Sequence, residues 1–192
     1  MDKSRDLFWK LAEAEHVKVR SYCRKLMGNR EDGDDLYHDA LVHALTKFES
    51  LRDINSFRAW LYRVVINNFK NKIRRPLWKR LMPLTTMIEE SENGGNPENG
   101  YAARRHLERA FKVLSPDDQA LITLVEIEGW QIKEVAELAG KSEGSLKVRL
   151  FRARKKMRNS LAEYSSEVKK REAVKMIISE DNICVATKLD AE

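Results

Sequence analysis

The sequence predicts an all-α protein made of two small helical domains. Apolar residues recur at the three- and four-residue steps of an α-helix along most of the chain, and no segment shows the strict alternation of a half-buried strand. A segment rich in Glu, Gly and Asn interrupts this pattern. We therefore place one domain at 1–80, a flexible acidic linker at 81–100 and a second domain at 101–162. The sequence assigns no role to the tail at 163–192.

Composition and charge limit the classes of protein to consider. The chain has 192 residues, a formal net charge of +6 and a pI near 9.3, which suits a polyanionic partner. Cys23 and Cys184 match no metal or redox spacing, which favours a reducing compartment. No apolar run reaches the roughly 18 residues that span a bilayer, and the N-terminus lacks the apolar core of a signal peptide. We expect a soluble cytoplasmic protein without membrane insertion.

Three amphipathic helices are predicted in the first domain. The first covers 4–27 and is followed by a polar turn at Asn29–Gly33. The second extends to about Lys47, and the third covers 57–75, where Pro76 ends it because proline disfavours a helical residue before it. Helical periodicity places residues of the first helix near one face, namely Phe8, Ala12, Val19, Cys23 and Leu26, and residues of the second along one side, namely Leu36, Ala40, Leu41, Ala44, Leu45 and Phe48. In the third helix it predicts a buried set of Phe57, Trp60, Leu61, Val64, Val65 and Asn68.

The second domain begins with two further helices. One is predicted from about Tyr101 to Val113. The next has a strong start signal, with Ser115 as the N-cap, Pro116 at the first helical position and Asp118 at the third. Its apolar side consists of Ala120, Leu121, Leu124, Val125 and Ile127.

The last two helices form a predicted helix-turn-helix. They cover Ile132–Ala139 and 144–161 and are joined by a tight turn that contains Gly140. The final helix has an apolar stripe on one side, and from Glu143 to Leu161 the chain carries seven Lys or Arg residues against one Glu. A cationic second helix after a glycine-containing turn is typical of a unit that reads a DNA major groove. A solvated basic face, a membrane surface or a calmodulin-like partner is the alternative. The excess of cations is more than solvation requires, and the helix has few bulky apolar residues for membrane insertion.

Three passages resemble the bacterial extracytoplasmic-function sigma factors. They are DDLYHDALVHAL at 34–45, SFRAWLYRVVINNFKNKIRR at 56–75, and 114–157, which contains the helix-turn-helix. The resemblance implies a helix that docks on the clamp helices of RNA polymerase, a segment that captures and melts the −10 promoter element, and a reader of the −35 element. It also implies an anti-sigma factor as a partner, no catalytic activity and no cofactor.

The docking surface that the resemblance implies lies on the acidic second helix. It combines an acidic rim with an exposed Leu36, and its residues are Asp35, Leu36, His38 and Asp39. The spacing of the two aspartates around His38 would also suit a metal, but one helical turn offers too few ligands, and a solvated acidic face is the simpler alternative.

The −10 surface is expected on the third helix. Its residues are Arg63, Asn67, Lys70, Asn71, Arg74 and Arg75. The amide of Asn67 can both donate and accept hydrogen bonds, so it can read the edge of an extruded base, while the cations, including Lys72, hold phosphates. By the resemblance, the pocket around Asn67 is closed by the Asp53–Ser56 loop.

The −35 surface is expected on the last helix. The residues that would face base edges are Val148, Phe151, Arg152 and Lys155, and those that would hold phosphates are Lys147, Arg149 and Lys156. Arg152 is the candidate for a bidentate contact to guanine.

Two other functions compete with a sigma factor. A free-standing helix-turn-helix regulator would bind an operator as a dimer and sense a ligand with its first domain. A basic, Asn-bearing helix in that domain favours the sigma factor over a sensor. A nuclease would need a cluster of carboxylates or of Cys and His residues, and the sequence offers none that is plausible.

Overall fold

The computed structural model describes residues 3–74, 106–164 and 166. Within these residues the chain is helical and contains no strand, as predicted. The helices are α1 (Lys3–Met27), α2 (Arg30–Lys47), α3 (Phe57–Arg74), α4 (106–112), α5 (Pro116–Ile122), α6 (Ile132–Ala139) and α7 (143–164). Short 3₁₀ turns at Phe48–Ser50 and Ile54–Ser56 connect α2 to α3, and a π-helical turn, Thr123–Ile127, follows α5.

The predicted polar turn after α1 is mostly wrong. Only residues 28 and 29 lie between the helices, because the Asn29 side chain caps α2 by accepting a hydrogen bond from the Asp32 amide at 2.8 Å. The capping allows the helix to begin at Arg30. The predicted linker at 81–100, the start of a helix at Tyr101 and most of the tail at 163–192 lie outside the described residues.

The helices α1, α2 and α3 form the N-terminal bundle. Its centre is aromatic: the Phe8 ring meets the rings of Phe48 and Phe57 edge-on, with centroids 5.3 and 5.9 Å away. The helices α1 and α2 cross at Gly33, where an added Cβ atom would lie 2.4 Å from the Cα atom of Arg24. Only glycine allows the two backbones to approach this closely.

The predicted core of α3 is partly wrong. Phe57, Leu61 and Val65 are buried as expected, but Trp60, Val64 and Asn68 are only partly buried. Tyr62 and Phe69 are fully buried instead. Tyr62 is buried because the second half of the protein packs on that side of α3, which the period of an isolated helix does not reveal.

The helices α4 to α7 form the C-terminal bundle, and its local start and stop signals are confirmed. The Ser115 hydroxyl accepts a hydrogen bond from the Asp118 amide and caps α5. Gly140 ends α6 in the left-handed conformation with φ of 63°, and its amide bonds back to the last turn. The Gln119 side chain ties α4 to α5 by donating to the carbonyls of Phe111 and Leu114.

The two bundles pack against each other in the described structure. Their buried apolar residues form one continuous cluster, and α3 contacts both α5 and α6. The surface of α3 that carries the predicted −10 residues therefore lies next to the C-terminal bundle. No helix among the described residues is long and apolar enough to cross a membrane.

Candidate functional site

The acidic face of α2 is exposed, except for one residue that the sequence placed on it. Asp35, His38 and Asp39 are exposed, and the Asp35 side chain keeps 73% of its surface accessible, with its carboxylate 4.0 Å from the Lys72 ammonium. Leu36 was expected to be exposed beside them, but it is completely buried. It lies at four-residue steps from Ala40 and Ala44 and so belongs to the core stripe of α2. The proposed docking surface therefore consists of the exposed polar side chains of Asp35, His38 and Asp39, without Leu36.

Asp34 precedes the docking surface and has a role that the sequence did not indicate. Its two carboxylate oxygens accept hydrogen bonds from Arg24 and Arg20 of α1, at 2.7 to 3.0 Å. These hydrogen bonds, from Arg24 first and then Arg20, hold the pKa of Asp34 well below its ordinary value. The two arginines are one helical turn apart on α1, which is the only sequence signal that would suggest a shared acidic partner. The pairs fix how α2, and with it the acidic face, lies on α1.

The predicted −10 residues share one side of α3. Arg63, Asn67, Asn71 and Arg74 are exposed and follow one another at three- and four-residue steps, and Lys70 is partly buried among them. Arg75 lies outside the described residues. Asn67 thus stands on a cationic surface, as the sequence predicted.

This surface adjoins a cavity of about 260 Å³ between the bundles. Arg63, Asn67 and Lys70 line it from α3, and Asp117 and Arg149 line it from the C-terminal bundle. The Asp53–Ser56 loop, expected to close a pocket over Asn67, does not line this cavity. Asp53 instead accepts hydrogen bonds from the Asn55 amide and the Ser56 hydroxyl, which orders the loop itself.

The predicted base-reading residues of α7 are accessible. Val148 and Phe151 expose 51% and 66% of their surface, and Arg152 and Lys155 are exposed beside them. The buried side of the same helix carries Leu146, Leu150 and Ala153, as predicted. Val148 and Phe151 are three residues apart, so they leave a small apolar patch among the cations on this side of α7.

The predicted phosphate-holding residues of α7 all lie near carboxylates. The Arg149 guanidinium donates to Asp118 at 2.6 Å, Lys156 lies 3.7 Å from the same carboxylate, and Lys147 pairs with Glu143 at 3.5 Å. Burial is the largest single influence and raises the pKa of Asp118, but the hydrogen bonds with Arg149 and Ser115 and the charges of Arg149 and Lys156 together lower it below its ordinary value. Asp118 stays charged at neutral pH and orients Arg149.

The contacts between the bundles pair residues that the sequence did not bring together. Lys25 of α1 forms an ion pair with Glu128 at 2.7 Å, and the Tyr22 hydroxyl donates to the Ala120 carbonyl at 3.4 Å. The Trp130 ring lies 4.7 Å from the Tyr62 ring. None of these residues belongs to a periodic pattern that would pair them, since more than 65 residues separate the partners in each pair.

A metal centre has no support in the described part of the chain. No group of three or more His, Cys, Asp or Glu residues there is arranged to hold a metal ion. Asp35, His38 and Asp39 are exposed on one helix.

Comparison with known proteins gives matches in both bundles. Residues 11–79 match the family model of sigma-70 region 2, and residues 104–157 match that of sigma-70 region 4. The chain is 30% identical over 143 residues to the ECF RNA polymerase sigma-E factor of Escherichia coli K12, a match that covers 68% of this chain and 74% of that protein. It is 28% identical over 154 residues to the ECF RNA polymerase sigma factor SigE of Mycolicibacterium smegmatis, covering 78% of this chain and 60% of that protein.

Two solved structures have a similar fold. The sigma factor RpoE of Bartonella quintana, solved with the anti-sigma factor NepR, superposes with a TM-score of 0.60 at 22% identity and covers 81% of this chain and 96% of its own. CnrH, solved with the cytosolic domain of CnrY, superposes with a TM-score of 0.55 at 22% identity and covers 84% of this chain and 98% of its own.

Proposed function

Because the chain belongs to the ECF family of RNA polymerase sigma factors, we propose that it binds core RNA polymerase and directs it to promoters with defined −10 and −35 elements. In this proposal the exposed acidic face of α2 docks on the polymerase, α3 captures unpaired −10 bases and assists melting, and α7 reads the −35 duplex. The protein contributes binding and no catalytic step.

The observation that carries the proposal is the position of Asn67. It is an exposed, uncharged amide on a side of α3 that also presents Arg63, Lys70 and Arg74. A repressor that reads closed duplex has no use for such a group outside its helix-turn-helix. An extruded base needs a donor and acceptor at its edge and cations around its phosphates, and this side of α3 has both.

The sequence family also supports a protein partner that controls the factor. RpoE and CnrH, the structural neighbours, were solved with an anti-sigma factor and with the cytosolic domain of CnrY, respectively. We extend this to the present chain and propose that an anti-sigma factor binds it.

Run-off transcription with core polymerase and a promoter library tests the function and yields the consensus together. The protein should direct initiation from a subset of templates that share two elements, and core polymerase alone should not. Binding of one closed operator as a dimer, without any effect of polymerase, would favour the alternative of a free-standing regulator.

Asn67→Ala should impair promoter opening more than promoter binding. The loss of one base contact costs about 1–3 kcal/mol, and the −35 contacts of α7 are untouched. We expect polymerase–promoter complexes that form normally but give little permanganate-reactive thymine near the −10 element. A template with unpaired −10 bases should restore only part of the activity, because it supplies the melting without the base contact. Wild-type opening by the variant would remove Asn67 from the mechanism.

Arg152→Ala and Lys156→Ala should affect promoters in different ways. Loss of a bidentate base contact should cost about 1–3 kcal/mol and relax the preference at one −35 position. Loss of a phosphate contact should weaken all promoters about equally and reduce the salt dependence of binding. Affinity measurements across a −35 library at several salt concentrations separate the two, and identical profiles would refute this division of roles.

A further inference from the structure

The side of α7 that faces away from the core is apolar at its centre. Val148 and Phe151 each expose more than half of their surface, whereas Leu146 and Leu150 beside them fill the core. A β-branched residue loses side-chain freedom in a helix, so valine is a poor choice for helix stability at an exposed position. Neither core packing nor helix stability therefore accounts for Val148.

The cations nearest to Val148 on this side of α7 are available to a ligand. Arg152 and Lys155 lie one and two turns after Val148 and are exposed. Within the described part of the chain, neither forms an ion pair with a carboxylate, whereas Arg149 and Lys156 both lie close to Asp118. A polyanion that binds Arg152 and Lys155 would therefore be brought against Val148.

Val148 also lies in a concave surface that can admit a group from such a ligand. A cavity of about 580 Å³ lies beside the N-terminal half of α7, and Val148 and Arg152 both line it. Gly144 and Ser145 form part of its wall, and an added Cβ atom at Gly144 would meet no atom within 4 Å. The small residues before Val148 thus leave its methyl groups accessible from the cavity.

We propose that Val148 is a specificity-determining residue of the −35 surface and contacts the 5-methyl group of a thymine. That methyl is the apolar group that bases present in the major groove, since the other base edges there offer hydrogen-bond donors and acceptors. An apolar side chain at this position therefore favours an A·T pair. The inference rests on the proposed function, because it takes α7 as the reader of duplex DNA.

The spacing of Val148 and Arg152 predicts where this thymine lies. Residues four apart are separated by about 6 Å along a helix axis, and successive bases by about 3.4 Å along each strand. A helix that follows the groove brings the two side chains to bases one or two steps apart. We therefore expect a thymine, on either strand, within about two base pairs of the position whose preference Arg152→Ala relaxes.

Replacement of thymine by deoxyuridine tests the contact, because deoxyuridine also pairs with adenine and lacks only the 5-methyl group. The full-length protein, bound to core polymerase, is titrated against fluorescent promoter duplexes that carry the −35 sequence enriched by the wild type. Each thymine within the two-base-pair window is replaced in turn. At one of them the wild type should lose about fourfold in affinity, as expected for one methyl-sized apolar contact. Val148→Ser should bind the thymine and deoxyuridine duplexes with equal affinity.

Val17→Ser is the matched control. It makes the same substitution at a valine of α1 that is 77% exposed. This variant should keep the fourfold preference for thymine over deoxyuridine. Circular dichroism of both variants should match the wild type, because neither valine belongs to the core.

Equal affinity of the wild type for thymine and deoxyuridine at every position of the window would overturn the inference. So would an unchanged preference in Val148→Ser, or enriched −35 sequences that carry no thymine in the window. Run-off transcription separates these results from a failure of the proposed function. If the wild type directs transcription, they refute only the methyl contact. If it directs none, the proposed function is refuted, and the inference with it.

Discussion

Asp35→Lys should abolish co-purification of the protein with core RNA polymerase. Asp35 lies on the proposed docking face and its side chain is 73% exposed, so a cationic group on the polymerase can reach it. Removing or opposing one member of a charge pair that is buried at an interface costs about 2–5 kcal/mol, which corresponds to a loss of affinity of roughly 30-fold to a few thousand-fold. Pull-down with tagged core enzyme, followed by titration of the labelled factor, measures the loss.

The fold should survive this substitution. The internal partner of Asp35 is Lys72 at 4.0 Å, and an exposed pair at that distance contributes little to stability. Circular dichroism and thermal unfolding should match the wild type. Glu13→Lys makes the same charge change on an exposed residue of α1 outside the docking face and should retain binding. Normal co-purification and transcription by Asp35→Lys would remove α2 from the docking surface.

Gly33→Ala should destabilise the N-terminal bundle by about 3 kcal/mol, at the upper end of the range for overpacked cores. The added Cβ atom would lie 2.4 Å from the Cα atom of Arg24, which is backbone and cannot turn aside. The helices α1 and α2 would have to separate, and the contacts of Asp34 with both arginines would lengthen. Urea unfolding followed by circular dichroism measures the change in the free energy of unfolding.

Gly144→Ala is the matched control for this prediction. Gly144 is also helical, but an added Cβ atom there would meet no atom within 4 Å. Because alanine is the better helix former, this variant should be as stable as the wild type or up to about 1 kcal/mol more stable. Equal stability of Gly33→Ala and Gly144→Ala would show that the crossing of α1 and α2 tolerates a side chain.

The sequence by itself determined the helices and most of the candidate surfaces. The period of apolar residues predicted α1, α3 and α6 within a few residues, and the Ser115 and Gly140 signals marked ends of α5 and α6 correctly. These features are local, since a helical face and a cap depend on residues within one or two turns. The exposure of Phe151 and Arg152 followed from the same periodicity.

The tertiary structure decided what these surfaces touch. Leu36 is buried although the sequence placed it at an exposed rim, and Tyr62 is buried because the C-terminal bundle covers it. The contacts of Arg63 with α6 and of Lys25 with Glu128 join residues more than 70 positions apart. Periodicity identifies the polar side of a helix but not its partner, because pairing across a chain depends on how whole helices pack.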